Sequence, residues 1–322
     1  MAEKRQKNWF KTVFHILKAS VNGFMEHNVT KMSGSLSYYT VFSMAPLLVL
    51  IIALCGLFLG REAAENQIYG QLSTFLDQNT ALQIQEIIRN ATINGSSTST
   101  IVIGAVTLLI GATTVFADIQ DSINHIWGIK PKPKKGWLKM LQNRFLSFSV
   151  IVSLGFILLV SLLITTFLDG FSDSLSARYE NISIVFFYVL NQLVTLLVIW
   201  FIFAVIFKVL PDAHIQWKDV LKGAFVTALL FIVGKFAISF YIGQSGAGDT
   251  FGSARSLVVL LLWTYYSAMI LYFGAEFTKA YVMEYGAEIK PSTYAVTTKE
   301  VEIETGKASV QESNEKVKKV IK

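Results

Sequence analysis

Cysteine is almost missing from this chain: Cys55 is the only one in 322 residues. It lies inside an apolar run, so a disulfide framework and a cysteine-based metal site within one chain are both excluded. Charge is scarce too. Only 16% of the residues are charged while 53% are apolar, against roughly a quarter charged in an ordinary soluble domain. The four histidines, His15, His27, His125 and His214, are dispersed and lack HExxH spacing. There is no Walker loop and no GxSxG elbow, which argues against an ATPase and a serine hydrolase. No recognisable soluble catalytic domain remains, and neither a metal nor a cofactor is expected. The first residues carry Lys4, Arg5, Lys7 and Lys11 without an apolar core and a small-residue cleavage site, so they do not read as a cleaved signal peptide.

What the chain has in quantity is long apolar sequence. Runs of ~20 apolar residues match the ~30 Å hydrocarbon core of a bilayer. The spacing predicts an all-α integral membrane protein with about six transmembrane helices. The spans are read at Leu36–Leu59, Ile101–Ile123, Phe145–Leu168, Ile184–Leu210, Val220–Ile242 and Leu257–Val282. Lys and Arg fix their orientation. Six fall in the segment through Lys31, two in 61–100, six in 128–144, one in 169–183, three in 208–222, none in 243–254 and seven after Glu284. High and low counts alternate as six crossings with both termini cytoplasmic require. The formal net charge of +6 therefore marks cytoplasmic loops rather than a nucleic-acid surface, and membrane lipids are the expected partners.

Three parts follow. Residues 1–34 form a cytoplasmic N-terminal segment in which Trp9–His27 places Phe10, Val13, Phe14, Leu17, Val21 and Phe24 at helical spacing. That suits an amphipathic helix on the cytoplasmic leaflet. Residues 35–285 form the transmembrane domain, with two short amphipathic helices expected in the outer segment 61–100. Residues 286–322, rich in Glu, Lys, Ser and Thr, are expected to be a disordered cytoplasmic tail.

Polar groups inside spans are costly and so mark candidate sites. Lys235 lies ~22 Å along the fifth span at 1.5 Å per residue. It is either a snorkelling lysine or a cavity-facing cation that attracts an anionic group, with Asp249 or Asp173 as partners. Glu276 sits near the cytoplasmic end of the sixth span, too far in depth to pair with Lys235. Lys279 or a basic residue of another loop is its expected partner. Asp118, Asp121, Ser122 and His125 fall on one helical face opposite Ile119, Ile123 and Ile126. Such a face either binds a metal or relays protons, or it simply leaves the membrane toward water, with Trp127 as an interfacial anchor. Pro46 bends the first span, and the freed carbonyls there are placed to line a cavity. Gly243–Ser253 reads as an outer hairpin connection.

Several stretches stand out together along the chain. They are Met32-Ser-Gly-Ser-Leu-Ser-Tyr-Tyr-Thr-Val-Phe-Ser-Met-Ala-Pro-Leu47, Asp121-Ser-Ile-Asn-His-Ile-Trp127, Leu210-Pro211 with Trp217, and Gly223–Phe231 with Gly234-Lys235. Tyr241, Leu262-Trp-Thr-Tyr-Tyr-Ser267 and Gly274-Ala-Glu276 complete the set. In this order and spacing they resemble the YihY / virulence factor BrkB family of bacterial inner-membrane proteins, and the resemblance implies a multi-pass protein of the bacterial inner membrane and singles out Pro46, Asn124, Lys235 and Glu276. The family's old ribonuclease label finds no metal-ligand cluster here. A transporter or flippase-like role for a lipid, another anionic small molecule or an envelope component is the leading expectation. A non-catalytic scaffold partnering envelope proteins is the alternative, and a membrane-bound ribonuclease comes third.

Overall fold

Apolar runs that cannot expose backbone to lipid must close their hydrogen bonds internally, and helix is the form that does this within one segment. The computed structural model describes residues 9–43, 85, 111, 114–132, 182–245, 251, 255–285 and 288–298. Helix α1 is Trp9–Glu26, and after a turn at 27–28 the helical residues 29–43 form α2. Residues 114–126 form α3, followed by strand β1, Ile129–Pro131. Next come α4 (Ile182–Val209), β2 (Ala213–His214), α5 (Trp217–Ser245) and α6 (Arg255–Glu284). Strands β3 (Lys290–Pro291) and β4 (Ala295–Thr297) close the described chain.

Helices α4, α5 and α6 are the expected fourth, fifth and sixth spans to within three residues at each end. All three are long and apolar enough to cross a membrane. Their outward faces carry apolar side chains at helical spacing: Val189, Leu193, Leu197 and Phe201 on α4, and Phe225, Leu229, Val233, Phe236 and Phe240 on α5. An exposed stripe of that length suits lipid rather than water. The first span beyond residue 43, most of the second, the third span at 145–168, the outer segment 61–100 apart from residue 85, and Pro46 lie outside the described residues. Helix α5 continues to Ser245, so Gly243 belongs to its last turn and not to the outer connection.

Helix α5 packs between α4 and α6, and α1 packs on the far side of α6. The α5–α6 contact is reciprocal. A methyl added at Gly223 would run into the Thr278 side chain, and one at Gly274 would run into Thr227. Each threonine bonds back to the carbonyl four residues earlier, Thr227 to Gly223 (2.8 Å) and Thr278 to Gly274 (2.7 Å). The hydroxyls are thereby satisfied without leaving their own helix. Small residues at such a seam let the two backbones approach closely where lipid offers no hydrophobic drive to do so.

Two short strand pairs tie the end of the molecule together. β1 pairs antiparallel with β4, Ile129 opposite Thr297, and β2 pairs antiparallel with β3, Ala213 opposite Pro291. The expectation of a disordered tail from residue 286 is therefore corrected for 288–298, whose backbone groups are engaged by the two earlier loops. Residues 299–322 lie outside the described residues. Gly128 turns the chain from α3 into β1 with φ +67, a left-handed conformation that favours glycine, and a methyl there would sit 2.9 Å from the Thr298 carbonyl.

Candidate functional site

The last turns of α6 hold three other helices, α1, α3 and α5. Phe24 lies against Phe273 (6.2 Å between ring centroids), and His15 Nδ1 is 2.9 Å from Glu284 Oε2. These contacts run α1 antiparallel along α6, with Gly23 beside Glu276. The face of α1 formed by Thr12, Ile16, Ser20 and Gly23 is buried there, while Phe10, Phe14 and Met25 remain exposed. The end of α3 is held by two bonds. Trp127 Nε1 donates to the Ala275 carbonyl (3.1 Å), and Lys279 Nζ donates to the Ile126 carbonyl (2.6 Å). A cation at the C-terminal end of a helix also complements its dipole. Lys222 Nζ of α5 donates to the Tyr281 hydroxyl at 2.7 Å.

Glu276 is the carboxylate at the centre of this cluster and is 2% exposed. Of the two expected kinds of partner, Lys279 or a basic residue of another loop, it meets the second: His27, in the turn between α1 and α2, at 2.6 Å from Nδ1 to Oε1, while Lys279 is spent on the α3 terminus. His27 Nδ1 also faces the Gly23 carbonyl at 3.0 Å. A carbonyl only accepts, so Nδ1 carries the hydrogen and shares it between the two oxygens. The hydrogen bond to Glu276 raises His27 above the ordinary histidine value of 6.5, against opposing contributions from burial and from Lys279. The exposed His125 stands edge-to-face to His27, with ring centroids 5.4 Å apart.

A second network surrounds Asn124. Its amide donates to Asp212 Oδ2 (2.9 Å) while its carbonyl oxygen accepts from the Asp212 backbone N–H (2.8 Å). Tyr294 donates to the other carboxylate oxygen (2.8 Å), and the Ser292 N–H donates to the Asp212 carbonyl (2.9 Å). Asn124 and Asp212 are each 2% exposed. This one cluster joins α3, the turn after α4 and the β3–β4 segment. Nearby, Lys208 Nζ donates to the Ile215 carbonyl and lies over the Trp217 ring.

A third group lies between α2, α3 and α6. Asp118 accepts from Ser35 (2.9 Å) and, at 3.5 Å, from the buried Tyr272 hydroxyl. Asp121 and His125 are exposed, so the polar face expected on the second span divides: Asp118 and Ser122 turn inward while the other two meet solvent. Among the described residues no three of His, Cys, Asp and Glu gather around a point that could hold a metal. Trp127 is buried at 6% exposure and anchors α3 to α6 instead of sitting at a lipid interface. Lys235 is half-buried on α5, beside Gly234, which packs on Tyr266. Tyr266 is six residues, hence ~9 Å along the helix, from the Tyr272 that meets Asp118. The partners expected for Lys235, Asp173 and Asp249, lie outside the described residues.

The chain matches the virulence factor BrkB family over residues 20–296. It belongs to that family. Among its relatives, the UPF0761 membrane protein of Tolumonas auensis is 27% identical over 251 residues, 77% of this chain and 78% of that one. Those of Pseudoalteromonas atlantica (22% over 278 residues, 84% and 87%) and Haemophilus influenzae (25% over 262 residues, 79% and 90%) are similar over comparable lengths. No solved structure matches the chain. With relatives described as membrane proteins and several apolar helices long enough to span, this BrkB-family chain is a multi-pass membrane protein. The matched stretch takes in His27, Asn124, Asp212, Glu276 and Tyr294.

His27, Asp212, Tyr294, Ser35 and Tyr272 were not legible as site residues. Two carried a local signal. His27-Asn28 ends the amphipathic run of α1, with Asn28 at φ 51, the conformation asparagine tolerates at a helix end. Asp212 follows Pro211, where α4 must stop.

Proposed function

We propose that this BrkB-family protein moves a lipid or another anionic envelope component across the inner membrane, without catalysing a chemical step. The observation that supports this reading is the polar line formed by half-buried Ser35 and Asp118 with the buried Tyr272 between apolar helices. An ionisable side chain among apolar helices is costly and so marks a candidate path for a polar group. Lys235, on the neighbouring α5, would meet an anionic headgroup from the outer side. Both termini would then be cytoplasmic, so the α6 cluster would close the inner end.

Purified protein in liposomes carrying a fluorescent anionic lipid tests the proposal. Dithionite should reach inner-leaflet label in the presence of the protein, and Asp118→Asn and Lys235→Ala should each slow that exposure at least tenfold. Rates equal to those of empty liposomes would sink it. So would Lys235→Ala and Lys235→Arg variants that both fold and fully complement a deletion strain.

A scaffold role is favoured by a different observation. Asn124 and Glu276 are spent on internal bonds, while α1 exposes Phe10, Phe14 and Met25. Under that reading lipid movement is absent, and substituting these three side chains with serine abolishes co-purification of an envelope protein. The ribonuclease reading ends if the purified protein cleaves no RNA with any divalent metal.

A further inference from the structure

We propose that His27 and Glu276 form a proton-binding site, open to solvent beside His125, whose occupancy sets how tightly α1 is docked on α6. The inference stands apart from lipid movement and rests on the geometry of the α6 cluster.

Glu276 is nearly completely buried, and burying a lone carboxylate is expensive unless a charge meets it. The side chain set against it is an imidazole 2.6 Å away, itself 16% exposed. With Nδ1 already carrying the hydrogen shared by Glu276 and the Gly23 carbonyl, Nε2 is the nitrogen that takes up a proton. The step balances simply. A proton from solvent binds Nε2, neutral imidazole becomes imidazolium, and the pair goes from a net charge of −1 to zero. No other bond forms or breaks.

Among the described residues, the other groups facing the site are Lys279 of α6 and His125 of α3. Lys279 opposes the extra proton, but its ammonium is bonded to the Ile126 carbonyl and directed at the end of α3. The Glu276 hydrogen bond is the largest influence on His27, and it raises its affinity for the proton. A group with a raised folded-state value contributes stability that is complete below its unfolded value near 6.5. That contribution is lost as pH rises through the raised value. Docking of α1 is thus strongest in mild acid and weakens toward alkaline pH.

The position of the site gives this titration a mechanical output. His27 occupies the turn between α1 and α2, and Gly23 brings the α1 backbone against the Glu276 carboxylate, 2.8 Å from a built methyl to Cδ. Proton loss leaves an unneutralised carboxylate beneath that backbone. The helix that can move away is α1, because α6 is also held by α5 and by Trp127.

Two measurements on the full chain in lipid nanodiscs test this. In a Cys55→Ser background, spin labels at the exposed positions Ala19 and Met283 report the α1–α6 distance. A single short distance is expected at about pH 6, with a second, longer population appearing at about pH 9. His27→Gln keeps a donor but cannot titrate, and should give the same distribution at both pH values. Ring-nitrogen NMR of labelled histidine should show His27 titrating above the ordinary value in the wild type and shifting down in Glu276→Gln. A wild-type distribution unchanged by pH overturns the proposal even if both variants fail to fold, and so does a His27 titration that Glu276→Gln leaves unmoved. Lipid movement is read in neither arm, so its failure would leave this result standing.

Discussion

At the scale of single residues, Gly23 and Asn124 make the sharpest demands. A methyl on Gly23 collides with the Glu276 side chain, which α6 cannot withdraw without giving up its bond to His27. Gly23→Ala is therefore expected to cost about 1–3 kcal/mol, lowering the unfolding temperature in detergent and lengthening the label distance from α1 to α6. Asn124→Ala removes both the amide donor and the carbonyl acceptor from a buried Asp212. About 1–3 kcal/mol is expected for each group left unpaired, and Asn124→Asp should be worse still, since it sets a second carboxylate against the first. Thermal unfolding of the purified variants distinguishes these outcomes. Neither network could have been found in the sequence alone. His27 and Glu276 are 249 positions apart, and nothing in either local pattern names the other. Asn124 entered only through the resemblance, which carried no role with it.

At the scale of elements, the α5–α6 seam is the contact most open to test. Gly223→Ala or Gly274→Ala should wedge the helices apart, because the space each methyl needs is filled by Thr278 or Thr227. Combining Gly223→Ala with Thr278→Ala should recover part of the loss, whereas Gly223→Ala with Thr227→Ala should not. A double-mutant cycle on unfolding temperature reads this coupling directly. The spans themselves were legible because their signal is local. Twenty apolar residues announce a crossing whatever they pack against, and α4, α5 and α6 appear where hydropathy placed them. Trp127 was misread for the opposite reason. A tryptophan after an apolar run looks like an interfacial anchor, and only packing against Ala275 shows that its indole N–H has an internal acceptor.

At the scale of the whole molecule, one end gathers α1, the end of α3, the turn between α4 and α5, the last turns of α6 and the β3–β4 segment. The β3–β4 segment ties this end together, and the unfolding temperature measures its share. Removal from residue 288 onward should lower it markedly, because β1 and β2 lose their partners and Asp212 loses Tyr294. Cysteine labelling from either side of the membrane should find positions 19 and 283 on the same face, as the charge alternation in the connections requires. The tail escaped a composition-based reading because its pairing is through backbone, with Tyr294 the aromatic that reaches the loop. Its many polar side chains conceal strands only two and three residues long.

Those strands also impose an order on how the protein is made. Residues 129–131 and 213–214 leave the ribosome long before their pairing partners exist, and Asp212 waits 82 positions for Tyr294. Until the final helix has been inserted and the segment behind it has emerged, the earlier loops have unpaired edges and a carboxylate short of one donor. The emergence of residues 290–297 is thus itself the closing event, and a chain stalled before residue 290 would present quality-control proteases with loops that the finished protein hides.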